Sequence, residues 1–359
     1  MSTILESISL TYQWKLMFSS NATRKKAVSS VLLCDDEKDS IRKHWDGIRV
    51  DEFYFRWYKK ACIIREEKTQ GNYADDIWKY VPDDIYFINI CSHFHNLKAC
   101  REIDDKNLYD LLFYDVRQPA TLIRKNKGVL MDNRYEPLSY GNAVSIIHKY
   151  GKAVIKKAKL SDGGKGLLFI DNEMSKEELL RQLYSRDGFV VQECISQHPT
   201  LNLIHKESVN TIRLTTFYFQ GYLHILSSVL RMGVGDCKVD NASSGGIFCG
   251  INEDGRLKKY GHDKKMNVYR THPTSNVMFE NIVIPGFDAC KKLVRRLSYR
   301  FLQASQLISW DLAVDENAQP VLIEVNLRWG DIDFHQISNG PLFGDLTENV
   351  INDVFNKNN

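Results

Sequence analysis

Alternating apolar and polar residues predict paired strands through the second half of the chain. Residues 209–219 and 222–231 alternate on either side of Gln220-Gly221, a dipeptide typical of a tight β-hairpin. Similar pairs of runs flank other short polar turns. These pairs are 153–157 with 166–170, 246–251 with the run after Gly255, and 308–314 with 321–325. Because short turns join these strands, we expect mainly antiparallel sheets.

Apolar residues at helical spacing predict helices between the strands and throughout the first third of the chain. Ser175 is expected to begin one helix, because its hydroxyl can cap the helix and Glu178 completes a capping box. The predicted helices are 19–33, 36–44, 105–114, 141–150, 175–184 and 290–305. Strand hairpins with helices to one side indicate an α+β fold.

Changes in pattern divide the chain into four regions. Residues 1–75 form an N-terminal, mostly helical region that ends near Gly71-Asn72, and residues 76–150 form a mixed α/β linking region. Residues 151–200 and 201–359 carry the strand hairpins and are expected to form a smaller and a larger subdomain. The role of residues 1–75 stays open between a cap over the substrate side and a dimer contact.

Composition restricts the class of protein. A length of 359 residues suffices for two or three domains, and a net charge of +3 is too small to favour nucleic acid or a membrane surface. No apolar run has the length of a membrane span, and the first residues lack the apolar core of a signal peptide. The eight cysteines form no C-x-x-C pair, so we expect free thiols in a cytoplasmic protein.

Three oxygen-bearing side chains near the C-terminus predict a metal site. Asp311 belongs to one strand of the last predicted hairpin, and Glu324 and Asn326 share one face of the other. Pairing of the two strands brings these side chains together. Carboxylate and amide oxygens suit Mg²⁺, which commonly bridges a protein and the phosphates of its substrate.

A glycine-rich turn adds a candidate phosphate site. Residues 161–166, here called the glycine loop, follow the short strand that carries Lys156. Glycines let backbone N–H groups approach phosphate oxygens, and lysine adds positive charge. The spacing is not that of a P-loop, and such a turn alone is more often a plain hairpin turn.

The order of these motifs resembles the ATP-grasp superfamily and, within it, the sugar-transfer-associated group. The resemblance covers roughly residues 85–345. It rests on the segments Asp105-Lys106-Asn107, the glycine loop, 208–213, Asp240-Asn241 with Gly245-Gly246, and Glu324-Val325-Asn326. It implies an ATP-grasp fold, in which two α+β subdomains grip ATP.

The resemblance also implies how the nucleotide is held. Lys106 and Lys156 would contact its phosphates, with Lys156 also near the adenine edge. The glycine loop would close over the β- and γ-phosphates, and the backbone of residues 192–195 would form a hinge that reads the adenine. The residues so assigned to ATP are Lys106, Lys156, Ser161, Gly163, Gly164, Lys165, Gly166, Gln192, Glu193, Cys194 and Ile195.

Further residues are assigned by the same resemblance to the metal and to catalysis. Asp311, Glu324 and Asn326 would hold two Mg²⁺ ions. Arg213 and Arg231 would steady the transferring phosphoryl group, because a guanidinium binds phosphate bidentately. Asn241 would lie in a second loop near the reacting phosphate.

Two stretches depart from the family pattern. Many members of the family carry, shortly after the hinge, an acidic residue that binds the ribose hydroxyls. Residues 196–199 occupy that stretch here and include no acid, so His198 is the only candidate named for the ribose contact. Beyond Asn326 the usual Pro-Gly is replaced by Arg328-Trp329-Gly330-Asp331. The candidates for contact with a second substrate, each of which could equally belong to a plain loop, are Arg328, Asp331, Asp333, His335 and Gln336.

Together these features predict an ATP- and Mg²⁺-dependent ligase that joins a carboxylate to an amine through an acylphosphate. By resemblance, the substrates are small molecules, with a sugar acid or glycan precursor of surface polysaccharide as the carboxylate. A phosphotransferase and a non-catalytic nucleotide-binding module remain the alternatives, and the oligomeric state is open.

Overall fold

The computed structural model describes residues 22, 24–66, 72–159, 166–171 and 173–356. Five residues of the predicted glycine loop, 161–165, lie outside these ranges; they include Ser161, Gly163, Gly164 and Lys165. The beginning of the helix predicted at 19–33 also lies outside them. No helix in the described part of the chain is long and apolar enough to cross a membrane.

Short helices make up the first part of the described chain, as the sequence predicts. They are α1 (Asp35–His44), α2 (Glu52–Arg65), α3 (Ala74–Ile77), α4 (Asp83–Ile85), α5 (Cys91–Phe94), α6 (Leu97–Ile103) and α7 (Tyr109–Leu112). Asp51 begins α2 by accepting a hydrogen bond from the Phe53 amide, which satisfies one of the free N–H groups of the first turn. The single helix expected at 105–114 is instead a 3₁₀ turn, Lys106–Leu108, followed by α7.

The smaller sheet has five antiparallel strands in the order β2-β1-β5-β3-β4. The strands are β1 (Thr121–Asn126), β2 (Val129–Asp132), β3 (Ala153–Lys157), β4 (Leu168–Ile170) and β5 (Phe189–Glu193). Helices α8 (Tyr140–Tyr150) and α9 (Lys176–Ser185) cover it, and their apolar faces form one core with the sheet. Ser175 caps α9 through the Glu178 amide, at 3.1 Å.

The smaller sheet contains strands from both sides of the boundary expected at residue 151. Strand β1 pairs with β5 along residues 121–125 and with β2 on its other side, so both early strands belong to the same sheet as β3. The linking region expected at 76–150 is therefore divided between two structural units. We propose that the smaller subdomain begins just before residue 121.

The larger sheet has seven antiparallel strands in the order β10-β9-β8-β7-β6-β11-β12. The strands are β6 (Thr211–Phe219), β7 (Tyr222–Met232), β8 (Ile247–Ile251), β9 (Leu257–His262), β10 (Val268–Tyr269), β11 (Leu307–Val314) and β12 (Pro320–Asn326). The predicted hairpin β6–β7 turns at Gln220-Gly221, both of which have positive φ. Such a turn matches the twist of the paired strands.

Helices cover both faces of the larger sheet. They are α10 (Pro199–Ile204), α11 (Phe287–Ser298), α12 (Asp333–Asn339) and α13 (Thr347–Val354). Neighbouring residues of β7 show the two faces: Leu230 packs in the core under α11, whereas Val229 packs with α12 and the N-terminal helices. The helix predicted at 290–305 is observed as α11, which ends at Ser298 and is followed by a 3₁₀ turn. The mixed helices and antiparallel sheets confirm the predicted α+β class.

Candidate active site

The last hairpin brings together the three predicted metal residues. Asp311 on β11 lies directly opposite Glu324 on β12, and Asn326 lies two positions farther along the same strand. The amide nitrogen of Asn326 is 3.5 Å from the Asp311 carboxylate. Three oxygen-bearing side chains thus share one face of the hairpin, as the sequence predicts.

Arg213 faces Asp311 across the neighbouring strand. The two residues are register partners in the β6–β11 pair, and the guanidinium contacts both carboxylate oxygens, with Nη2 at 2.7 Å from Oδ2. Burial alone would raise the pKa of Asp311, but the charges of Arg213 and Arg231 outweigh it and lower that pKa. Asp311 is therefore an ionised carboxylate in the interior of the cleft.

Two lysines meet on the other side of the metal residues. Lys106 binds Glu324 with Nζ 2.5 Å from Oε1, and its backbone amide donates to the Ala158 carbonyl just beyond β3. Lys156, on β3, has its pKa lowered to about 8 by burial and then by the positive charge of Lys106. The 3₁₀ turn and the end of β3 therefore place two ammonium groups beside one carboxylate.

The predicted hinge, residues 192–195, begins with the last two residues of β5 and continues beyond the strand. The Gln192 side chain is buried and donates weakly to Pro119 and Thr121, at 3.4 Å each, so it ties β5 to β1 rather than facing the cleft. Glu193 forms an ion pair with Arg117 at 2.6 Å. Cys194 and Ile195 line the cleft. The adenine contact through this backbone remains a prediction.

A second loop, residues 240–246, closes over the end of β7. Arg231 donates to Thr211 at 2.9 Å and forms an ion pair with Asp240 at 3.3 Å. Asn241 lines the cleft, and its side-chain nitrogen is buried with no hydrogen-bond partner among the described residues. Such an orphaned donor marks a position where a bound group can supply the missing acceptor.

The residues beyond β12 that the sequence offers as substrate contacts divide into two groups. Asp331 and Asp333 line the cleft, whereas Arg328 lies outside its lining and pairs with Asp104 at 3.4 Å. His335 and Gln336 are buried in α12. The imidazole bonds Ser227 at 2.8 Å, and Gln336 bonds both backbone groups of Val81.

His198 likewise has a structural position. Its Nδ1 accepts a hydrogen bond from the Thr200 amide at 3.1 Å and so caps α10. Hydrogen bonds from the adjacent Gln197 to the Ser208 and His205 carbonyls fix the chain after the hinge. The ribose contact expected of His198 therefore finds no support in its position.

One large cleft of about 1590 Å³ lies between the two sheets, and its lining includes Lys106, Lys156, Arg213, Arg231, Asn241, Asp311, Glu324 and Asn326. Several lining residues were not expected from the sequence. They are Arg24, Trp57, Asp83, Lys238 and Lys264. Their sequence surroundings look like ordinary helical or loop surface, and only the packing of distant segments brings them to the cleft.

Comparison with known families identifies the protein's relatives. The description of the sugar-transfer associated ATP-grasp family matches residues 91–352, which is most of the chain. The chain belongs to this ATP-grasp family. The resemblance inferred from the motifs is thereby confirmed, and with it the ATP-grasp fold. No curated protein sequence matches the chain significantly.

Solved structures resemble the chain at low sequence identity. Phosphoribosylamine–glycine ligase from Thermotoga maritima is 14% identical, with 89% of this chain and 73% of that chain covered and a TM-score of 0.46. D-alanyl-alanine synthetase A from Vibrio cholerae is 12% identical, with coverage of 75% and 66% and a TM-score of 0.39. An N5-carboxyaminoimidazole ribonucleotide synthetase is 8% identical, with coverage of 64% and 45% and a TM-score of 0.39. The chain thus spans under two thirds of the length of the last two.

The chemistry of the donor set of this ATP-grasp protein fits Mg²⁺. Asp311 and Glu324 supply ionisable carboxylates from facing strands, and Asn326 supplies an amide beside them. Hard cations take such oxygen ligands and leave further positions for phosphate and water. The surrounding cations, Lys106 and Arg213, supply positive charge for a polyphosphate at the same place.

Proposed function

We propose that this ATP-grasp protein is an ATP- and Mg²⁺-dependent ligase that joins a carboxylate to an amine through an acylphosphate. One observation carries the proposal. A single cleft collects Lys106, Lys156 and Arg213 around the facing pair Asp311 and Glu324. Phosphoryl transfer depends mainly on positioning and on neutralising charge, and this arrangement is suited to both.

Asp311, Glu324 and Asn326 would hold the metal. When bound, Mg²⁺ would neutralise phosphate charge and orient the terminal phosphate. The remaining positive charge comes from the chain itself. Lys106 and Lys156 would contact the phosphates of ATP from the smaller-sheet side, and the glycine loop, including Ser161, Gly163, Gly164, Lys165 and Gly166, would close over them.

The proposed reaction has two steps. An oxygen of the substrate carboxylate attacks the γ-phosphorus, the bond to the β–γ bridging oxygen breaks, and ADP leaves. The amine then attacks the acyl carbon, inorganic phosphate leaves with the bonding electrons, and the amine loses a proton to give the amide. Arg213 and Arg231 would stabilise the charge that develops on the transferring phosphoryl group, with Asn241 donating from the 240–246 loop.

The substrates follow from the family and from the cleft. The family description associates its members with sugar transfer, so we assign a sugar acid or glycan precursor as the carboxylate, in cytoplasmic steps of surface polysaccharide synthesis. Asp331 is exposed and lines the same cleft as Arg213. Its carboxylate is suited to hold an ammonium group, so we assign the amine to this end.

Hydroxylamine trapping tests the reaction type. With ATP, Mg²⁺ and a panel of hexuronic acids, free and nucleotide-linked, we expect an acyl hydroxamate to form in step with ADP. Glu324→Ala should reduce both by two orders of magnitude or so, because it removes a charged ligand of the metal site.

Other outcomes assign other functions. ADP formation with a phosphorylated sugar and no hydroxamate would identify a phosphotransferase. Nucleotide binding without turnover of any carboxylate or hydroxyl substrate would identify a non-catalytic module. Turnover that survives Glu324→Ala would show that the carboxylate pair does not serve catalysis.

A further inference from the structure

One wall of the cleft is built by residues that precede the family match. Arg24, Ala27, Trp57, Asp83 and Phe87 all line the cleft, whereas the match begins at residue 91. The helical region before residue 91 therefore supplies part of the site for which family membership gives no role.

Contacts place this wall next to residues 331–333, which follow β12. Asp331 lies within electrostatic reach of Lys264, Asp333 and Arg213. Asp333 is in turn bound to Arg24 at 2.6 Å. The wall thus adjoins Asp331, at the end of the cleft to which the proposed function assigns the amine.

Arg24 joins three separate segments at this point. Its Nη1 is 2.6 Å from Asp83 and its Nη2 is 2.6 Å from Asp333, while its guanidinium lies 5.1 Å from the centre of the Trp57 ring. Tyr58 donates a further hydrogen bond to Asp83 at 2.5 Å. The side chains of Arg24, Asp83 and Asp333 are only 12%, 8% and 11% exposed. A guanidinium with a fixed fork between two carboxylates holds both in one geometry.

The same network fixes one end of the loop that follows β12, residues 327–332. Within the loop, Gly330 packs so closely on β11 that an added Cβ would lie 2.2 Å from the Ser309 hydroxyl. At its far end, Asp333 begins α12 and is bound to Arg24. Immediately before Gly330, Trp329 has a φ of +51°, which is unusual for a bulky residue and persists only when the surroundings enforce it.

We propose that Arg24 is a positioning residue for the amine substrate. By joining Asp83 to Asp333, it holds the 327–332 loop in the conformation that presents Trp329 and Asp331 to the cleft. The helical region before residue 91 is accordingly the amine-side wall of the site. This inference rests on the proposed ligase function, and it assigns the N-terminal region to the substrate side.

Variants of Arg24 test this assignment against a matched neighbour. Arg24→Gln removes the charge, and Arg24→Lys keeps it but lacks the planar fork whose two nitrogens each bind one carboxylate. Lys25→Ala is the control, because it removes a cation at the next position whose ion pair with Asp51, at 2.9 Å, is about half exposed. The common amino acids serve in turn as amine probes, with ATP and the carboxylate that supports hydroxamate formation held at saturation.

We expect Arg24→Gln to raise the KM for the amine by about tenfold or more, because small errors of placement are costly in a two-substrate site. The KM for ATP and the rate of hydroxamate formation should stay within about twofold of wild type, since hydroxylamine is too small to need the wall. Arg24→Lys should shift the amine KM in the same direction by less, and Lys25→Ala should not shift it.

Hydrogen–deuterium exchange supplies a readout that needs no substrate. In both Arg24 variants, amides of residues 327–332 should exchange faster while those of β11 do not change. If Arg24→Gln does not fold, Arg24→Lys decides the question by the same two measurements. An unchanged amine KM, or a parallel rise of the ATP and amine KM values, would overturn the proposal. Failure of wild type to form hydroxamate would instead overturn the ligase function, and the exchange data would still decide whether Arg24 fixes the loop.

Discussion

The surroundings of Lys156 destabilise the charged form of its side chain. Burial and the charge of Lys106 together lower its pKa to about 8, against only a partial offset from Glu324. A phosphate beside it would favour the charged form again. Binding of a polyphosphate should therefore raise the pKa of Lys156. In the free protein, this ammonium group titrates near neutral pH.

This titration predicts a pH dependence of nucleotide binding. Because the protonated form binds phosphate, ADP affinity should be constant below about pH 8 and should fall above it, by up to about tenfold per pH unit. Lys156→Arg should abolish the decline, since a guanidinium stays charged throughout. Calorimetric titration with ADP from about pH 7 to about pH 9 measures both.

The adjacent lysine provides the control for this experiment. Lys157 is exposed at the end of β3, so Lys157→Arg should keep the wild-type pH profile. A decline that persists unchanged in Lys156→Arg would place the titrating group elsewhere in the cleft.

Some residue positions followed from sequence and others did not. The two-residue period of a strand predicts that Glu324 and Asn326 share a face, and the turn between β11 and β12 predicts Asp311 opposite them. The pairing of Arg213 with Asp311 joins residues separated by 98 positions, and no local pattern reveals that β6 lies beside β11. The direction of Arg328, toward Asp104 and away from the cleft, depends on such tertiary contacts as well.

At the scale of elements, the 240–246 loop depends on a glycine for its shape. A Cβ on Gly246 would lie 2.6 Å from the Asp240 carbonyl oxygen and 2.8 Å from that of Met232. The Gly246 amide also closes the loop by donating to the Asn241 carbonyl at 3.1 Å. The close approach of three backbone segments therefore sets where the Asn241 side chain lies.

Gly246→Ala should consequently displace this loop. Because the clash is with backbone atoms that cannot rotate away, we expect a loss of about 1–3 kcal/mol in stability. Turnover should fall by more than the fraction of unfolded protein explains, since Asn241 moves with the loop. Thermal unfolding and steady-state kinetics of the same preparation separate the two effects.

Gly141→Ala is the matched substitution, because a Cβ there meets nothing within 4 Å and the residue lies in helix α8. It should change stability by no more than about 1 kcal/mol, in the stabilising direction, and leave turnover unchanged. Equal losses in the two variants would show that the 240–246 loop has no special role.

Element prediction succeeded for most of the local hairpins. The hairpins β6–β7, β8–β9 and β11–β12 connect through short turns, so the turn residues and the alternation together specify them. Strands β1 and β2 were missed, and β1 pairs with β5 across more than sixty residues. That non-local pairing is also why the subdomain boundary expected at residue 151 does not match the smaller sheet.

For the molecule as a whole, the apolar core is divided unequally. One cluster joins the N-terminal helices to α12, α13 and one face of the larger sheet, and a second fills the other face under α11. A third cluster belongs to the smaller sheet with α8 and α9. The N-terminal helices are thus part of the larger unit, which sequence patterns could not show because amphipathic helices do not encode which surface they cover.

This division predicts which parts of the protein unfold together. Ile337 on α12 is fully buried in the shared cluster, so Ile337→Ala should destabilise the N-terminal helices and the larger sheet by the same amount, about 2–5 kcal/mol. Leu183 is equally buried, but in the cluster of the smaller sheet. Leu183→Ala should lower hydrogen-exchange protection in residues 121–193 and leave α2 and β7 protected.

The two variants control for each other, because each removes a similar apolar volume from a different core. Native-state hydrogen exchange followed by peptide mass measures the free energy of opening in α2, β7 and β5 side by side. If α2 opens independently of β7 in Ile337→Ala, the N-terminal region is a separate unit resting on the larger subdomain. Coupled loss of protection in α2 and β7 would instead mean that the amine-side wall, and with it Arg24, is as rigid as the sheet that carries the metal residues.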